Sequence, residues 1–195
     1  LEIQALTRLK NSLNNSFDNA VETIVKCPSK IIFCGVGKSS KISAKLSATF
    51  SSVGCPSFTL SGAEASHGDM GSIQKKDVLI LISYSGETQE LKNIIQFANR
   101  NRITLIGIVS NKDSILYKAS DIKIFIPEVK EAGHGIVPTS STTAAMALGD
   151  ALAIACMEYK KFGKLDFKKF HPSGNLGKKL TTVEDLMVVK NEIPF

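Results

Sequence analysis

Apolar residues in this chain alternate between two habits. Some form short unbroken runs, of which Val78-Leu79-Ile80-Leu81-Ile82 is the cleanest; others recur every third or fourth position, as do Leu91, Ile94, Ile95 and Ala98 just downstream. The first habit predicts a strand buried on both faces, the second an amphipathic helix. Residues 1–25 carry Ile3, Leu6, Leu9, Leu13, Phe17, Val21 and Ile24 near helical spacing, with a break near Asn14-Asn15 and an end at Pro28. Strands are then expected at 30–35, 56–60, 78–82, 103–109 and 122–126. Helices are expected at 42–53, from the turn after residue 82, at 113–119 and at 139–161. Residues 61–72 and 127–138 read as polar or irregular connections. Strands that alternate with helices and are apolar on both faces predict an α/β fold: a doubly wound parallel sheet of about five strands, flanked by helices. In such sheets ligands bind beyond the carboxyl ends of the strands.

That edge is where the candidate chemistry collects. Ser83-Tyr84-Ser85-Gly86-Glu87-Thr88-Gln89-Glu90 follows the third strand and is read as a tight turn opening a helix, with Glu90 about one turn in. Gly86 permits backbone shapes other residues resist. Ser83, Ser85 and Thr88 gather hydroxyls where a helix start would offer unpaired N–H groups, a common seat for phosphate. The plainer alternative is ordinary capping by Ser85 or Thr88. Gly35-Val36-Gly37-Lys38-Ser39-Ser40 follows the first strand in the same way. It is not a nucleotide P-loop, because the glycine required five positions before Gly37 is Ile32. What remains is a close backbone approach at Gly37, a hydroxyl at Ser39 and a lysine that is either merely exposed or set to hold a phosphate. Thr139-Ser140-Ser141-Thr142-Thr143 is a second hydroxyl-rich helix start, and Ser140 joins the candidate ligand-binding residues. Glu131 lies in the loop before it. Of the three histidines, His67 precedes Gly68-Asp69 without enough companions for a metal site, His134 carries no signal, and His171 sits beside Pro172 in a glycine-rich tail.

Composition narrows the class. The chain has 195 residues, 43% hydrophobic and 22% charged, which suits one globular domain with a sizeable core. The net charge is +6, spread in short lysine pairs rather than a basic tract, so no nucleic-acid partner is expected. No apolar run is read as long enough to span a membrane, and no membrane partner is expected. Cys27, Cys34, Cys55 and Cys156 are widely spaced and are read as buried thiols of a reducing, cytoplasmic protein.

The motifs taken together resemble the arabinose-5-phosphate isomerases, which are sugar isomerase (SIS) domain proteins. Gly35-Val36-Gly37-Lys38-Ser39, Ala63-Glu64-Ala65-Ser66-His67-Gly68-Asp69, Ser83-Tyr84-Ser85-Gly86-Glu87-Thr88, Pro138-Thr139-Ser140-Ser141-Thr142-Thr143 and His171-Pro172-Ser173-Gly174-Asn175-Leu176-Gly177 stand in that family's order. The resemblance implies interconversion of ribulose 5-phosphate and arabinose 5-phosphate through an enediolate, with no cofactor and no required metal, feeding synthesis of the eight-carbon sugar Kdo. It puts catalytic roles on Lys38, Glu90, Glu131 and His171. Substrate contacts fall on Gly37, Ser39, Ser83, Ser85, Gly86, Thr88, Ser140 and His67, the last also matching a position associated with inhibitory metal. It implies a homodimer or homotetramer with shared sites. The SIS domain is expected over 1–180, with 181–195 as the linker toward an absent or truncated CBS pair, which such proteins usually carry. A non-catalytic sugar-phosphate sensor is the alternative, since SIS domains also serve regulators.

Overall fold

The structure, a computed structural model, describes residues 1–171 together with Val183 and Met187. The 181–195 linker and residues 172–177 of the His-Pro tail therefore fall outside the described residues, Val183 and Met187 apart. Five parallel strands form the centre: β1 (Ile31–Gly35), β2 (Ser57–Ser61), β3 (Val78–Ile82), β4 (Thr104–Val109) and β5 (Ile122–Phe125). Their order is β2-β1-β3-β4-β5. β1 and β3 are in step, with Ile31 opposite Val78 and Gly35 opposite Ile82.

Every residue of β1 and of β3 is buried. Consecutive side chains point to opposite faces, which divides the core in two. Ile31, Phe33, Ile80 and Ile108 pack on the first face with α2 (Asn15–Val25), α3 (Lys38–Ser52) and α6 (Ser140–Tyr159). Ile32, Cys34, Leu79 and Leu81 pack on the second with α4 (Leu91–Asn101) and α5 (Ile115–Ala119). α1 (Glu2–Ser12) lies against α6 and buries Ala5 and Leu9. From β1 the chain winds outward to β2 over the first face; from β3 it winds the other way over the second. Between β1 and β3 the connections diverge and leave a crevice, the place where doubly wound sheets take ligands.

Most elements match their sequence-based expectations, and the differences have local causes. The N-terminal helix is indeed two helices, with the Asn14 side chain accepting from Ser16 N at 2.8 Å as the cap of α2. α3 begins at Lys38, four residues earlier than its apolar periodicity, because the glycine turn ends at Gly37. α4 begins at Leu91, so Glu90 is its N-cap residue and not one turn inside it, and neither Ser85 nor Thr88 caps this helix. α7 (Lys164–Phe170) was not anticipated; it is too short for a periodic signal. α6 corrects a further expectation. Its 20 residues are long and apolar enough to cross a membrane, yet half of that stretch is buried inside the fold, as the core helix of the first face. All four cysteines are free and three are buried. Burial pushes the Cys34 thiol up to about 12.

At the other end of the strands, Asp77 anchors the entry to β3. Its side chain is fully buried, accepts from Gln74 N at 2.7 Å and pairs with Lys30 at 2.9 Å. Burial pushes its carboxyl up. Ser29, the Gln74 N–H and Lys30 outweigh that and hold it below the usual aspartate value. Removing one member of a buried pair strands its partners. Asp77→Ala is expected to cost about 3 kcal/mol in urea denaturation at pH 7; a loss below about 1 kcal/mol would mean that the anchor is dispensable.

Candidate functional site

Two backbone features open the crevice. A Cβ on Gly35 would sit 2.8 Å from the Ser39 backbone, so only glycine lets the chain turn from β1 straight into α3. Gly86 has φ +70°, and a Cβ there would lie 2.1 Å from Ser114 Oγ; the loop after β3 thus folds down onto the start of α5. Within that loop the predicted hydroxyls are largely occupied. Ser83 Oγ meets Thr88 Oγ1 at 2.8 Å and accepts from Gly86 N at 3.1 Å. Ser85 Oγ accepts from Glu87 N at 3.3 Å. Glu87 in turn accepts from Ile115 N at 2.9 Å.

A cavity of about 470 Å³ lies above the carboxyl ends of β1, β3, β4 and β5. That size suits a small-molecule ligand. Its floor is apolar: Ile42, Ile82, Ile108, Ile126 and Ala145. Its polar groups are Lys38, Ser39, Tyr84, Glu131, Ser141 and Thr142. One cation and one carboxylate thus share a chamber with an apolar base, where charge interactions are screened less than in water.

The two helix starts at this cavity differ. At α6 the seat is taken by the protein itself. Glu131 Oε2 accepts from Thr139 N at 2.8 Å, and both carboxylate oxygens lie 3.3 Å from Ser141 N. Burial pushes the Glu131 carboxyl up, but the Ser141 hydroxyl and the N–H groups of Thr139, Ser141 and Ser140 more than reverse that, holding it below the ordinary glutamate value. At α3 the first residue is Lys38, with no acidic residue in the first turn. A cation at the positive end of a helix is unfavourable until an anion arrives. Lys38 is exposed and makes no hydrogen bond or ion pair among the described residues. The two helix starts are therefore not equivalent: one is already neutralised and the other is open.

The structure brings Lys38, Ser39 and Glu131 together and leaves the other candidates off the cavity wall. Gly37 is the exposed N-cap residue of α3, and Ser140 is buried behind the wall, its hydroxyl without a partner among the described residues. Ser85 lines a separate cavity. Glu90 is exposed at the head of α4, which packs on the opposite face of the sheet from α3 and α6. His67 is exposed in a 3-10 turn after β2. His171 caps α7, its Nδ1 2.9 Å from Phe167 O and its ring stacked 3.8 Å from that of Phe167. α7 lies near the far end of α6, where Phe170 stacks on Phe162 and Phe162 packs against Gly54. A helix of 20 residues is about 30 Å long, and the cavity is at its opposite end. Among the described residues no group of three metal-ligating side chains could hold an ion. The sequence reading singled out neither Tyr84 nor Thr142; only their place inside the two hydroxyl motifs marked them.

The chain is similar to known proteins over most of its length. A family described as the SIS domain matches residues 24–155. The chain is 45% identical to the arabinose 5-phosphate isomerase KdsD of Francisella tularensis, over all of this chain and 61% of that protein. It is 40% identical to the same-named protein of Escherichia coli K12, over all of this chain and 60% of that one. The chain thus spans about 60% of the length of these curated relatives. A solved structure from E. coli CFT073 in complex with A5P is 40% identical, with a TM-score of 0.84 over 88% of this chain and 92% of that chain.

Glu131 links the 127–138 loop to α6, and its folded carboxyl lies below the unfolded value. Its stabilising contribution is therefore full above the ordinary glutamate value of about 4.3 and is lost as pH falls through the folded value. Glu131→Gln is expected to lose about 1 kcal/mol at pH 7. In chemical denaturation the gap to wild type should close on acidification below about pH 4; a gap that widens there would contradict the cap.

Proposed function

The chain belongs to the SIS domain family, and from that premise we propose that it is an aldose–ketose isomerase interconverting ribulose 5-phosphate and arabinose 5-phosphate. The observation that carries the reading is the cavity at the β1/β3 crevice with Lys38 and Glu131 on its wall. The names of the two relatives and the A5P bound in the solved neighbour point to the same substrate. An isomerase of this kind moves a proton between adjacent carbons and steadies the enediolate between them. A carboxylate carries the proton, and a cation meets the developing oxyanion. The Lys38 ammonium, without a counter-charge among the described residues, is suited to the second task. The phosphate is seated at the hydroxyl loop of Ser83, Ser85, Gly86 and Thr88, beside the cavity wall, with Gly37 and Ser39 next to it and the fully buried Ser140 left out of the contact, so binding energy remote from the reacting carbons positions them.

We assign the proton shuttle to Glu90 and an ordering role to Glu131. A general base works best with a pKa near the operating pH, and capping pulls Glu131 the other way. Glu90 lies over the other face of the sheet and His171 at the far end of α6, so neither completes the site of its own chain. Neighbouring copies supply them in a homodimer or homotetramer, His67 among them as a further substrate contact. In the cell such an enzyme works in the cytoplasm and feeds Kdo synthesis.

Ribulose 5-phosphate incubated with the protein and EDTA should yield arabinose 5-phosphate. Thermal stabilisation by the sugar phosphate without any turnover would instead favour a sensor. Shared sites have their own test. Lys38→Ala and His171→Ala are each expected to be inactive, and mixing them under conditions of subunit exchange should restore part of the activity. Demonstrated exchange with no recovery would assign His171 to its own chain or to no catalytic role.

A further inference from the structure

The segment that carries Glu131 belongs to no regular element. Ile126 N donates to Val109 O at 2.9 Å as the last bond to the sheet, and the next helix starts only at Ser140. Among the described residues, 127–130 are held by hydrogen bonds to two side chains from distant parts of the chain. Arg8 Nη1 donates to Glu128 O at 3.1 Å at the surface, where water competes for both groups. Val129 N donates to the Tyr84 hydroxyl at 2.9 Å in a part-buried position. On the other side of Glu131, Ala132 N donates to Thr139 Oγ1 at 3.1 Å. Glu131 is thus mounted between an anchor at the start of α6 and an anchor on Tyr84. Tyr84 is itself fixed. It stands within the Ser83–Thr88 turn, its carbonyl accepts from Ser110 N at 2.9 Å, and its side chain packs against the first-face core. A backbone N–H in a part-buried loop needs an acceptor, and an acceptor tied to the sheet sets where that loop can lie.

Resting on the isomerase reading above, we propose that Tyr84 is a positioning residue of the reaction: its hydroxyl fixes the loop on which Glu131 is mounted, so that the turn seating the phosphate and the carboxylate on the cavity wall hold one another in place. Without that acceptor the segment from 127 to 131 keeps only the exposed bond from Arg8, and the Glu131 carboxylate drifts from the α6 N–H groups it caps. Small misplacements of a group beside the reacting atoms are costly in rate even when binding survives.

Tyr84→Phe keeps the ring and its packing and removes the acceptor. With arabinose 5-phosphate as substrate, kcat should fall about tenfold while KM changes less than about twofold. The Glu131 carboxyl, followed by carbon NMR on glutamate-labelled protein, should titrate at higher pH in Tyr84→Phe than in wild type, because its grip on the α6 N–H groups loosens. Adding Tyr84→Phe to Glu131→Gln should cost little further activity, since the first residue acts through the second. Wild-type kcat in Tyr84→Phe, an unmoved Glu131 titration, or losses that multiply in the double variant each overturn the proposal. A KM that rises while kcat holds overturns it as well, making Tyr84 a substrate contact instead. Absence of turnover in wild type removes the isomerase reading and the reaction role together, a result distinct from an unmoved Glu131 in an active enzyme.

Discussion

Burial of the strands on both faces is the constraint from which the rest follows. β1 and β3 have no exposed residue, so helices must cover each side of the sheet. Covering both sides from one central pair obliges the chain to wind outward in opposite directions, and the two loops that leave β1 and β3 then part from each other. The crevice is a by-product of that divergence. It needs no dedicated residues beyond glycines that let each loop turn closely, and it places Lys38 and the Ser83–Thr88 hydroxyls at one edge of the sheet whatever their chemistry.

Within the crevice, electrostatics at helix ends decides what each side chain can do. The N-terminus of α6 is satisfied by the carboxylate of Glu131, which locks the 127–138 loop and is itself held ionised. The N-terminus of α3 meets a lysine instead, an arrangement that favours an anionic visitor. A protein that spends one carboxylate on its own helix and leaves one cation open has a polarity built into its cavity. Tyr84 then bridges the two loops through Val129, joining the hydroxyl turn to the segment that bears Glu131.

The division of candidate residues between the two faces of the sheet bears on assembly. Lys38 and Glu131 belong to the α3/α6 face and Glu90 to the α4 face, while His171 hangs at the far end of α6. Residues that look like one set along the chain are distributed around the surface of a single copy. Several apolar side chains are exposed there too, among them Ile3, Leu6, Met146, Ile154 and Phe170. The shared sites proposed above would reconcile one chemical set with such scattered positions.

The sequence by itself determined the doubly wound class, the five strands and the edge at which ligands bind. Burial on both faces writes an unbroken apolar run, and a helix writes a 3.6-residue period, so both are local signals. It also marked Lys38 and Glu131 through their places beside a glycine turn and a hydroxyl-rich helix start. Only the tertiary structure decided which helix start was open, because the capping of α6 joins Glu131 to residues eight and ten positions away through a loop of no regular shape. It alone set Glu90 before α4 and not within it, since the turn after β3 is governed by Gly86 packing on Ser114. The separation of His171 from the cavity follows from the length of α6, and the place of Tyr84 in two cavity linings from strands brought side by side. Those are relations between elements, and no window along the chain contains both partners.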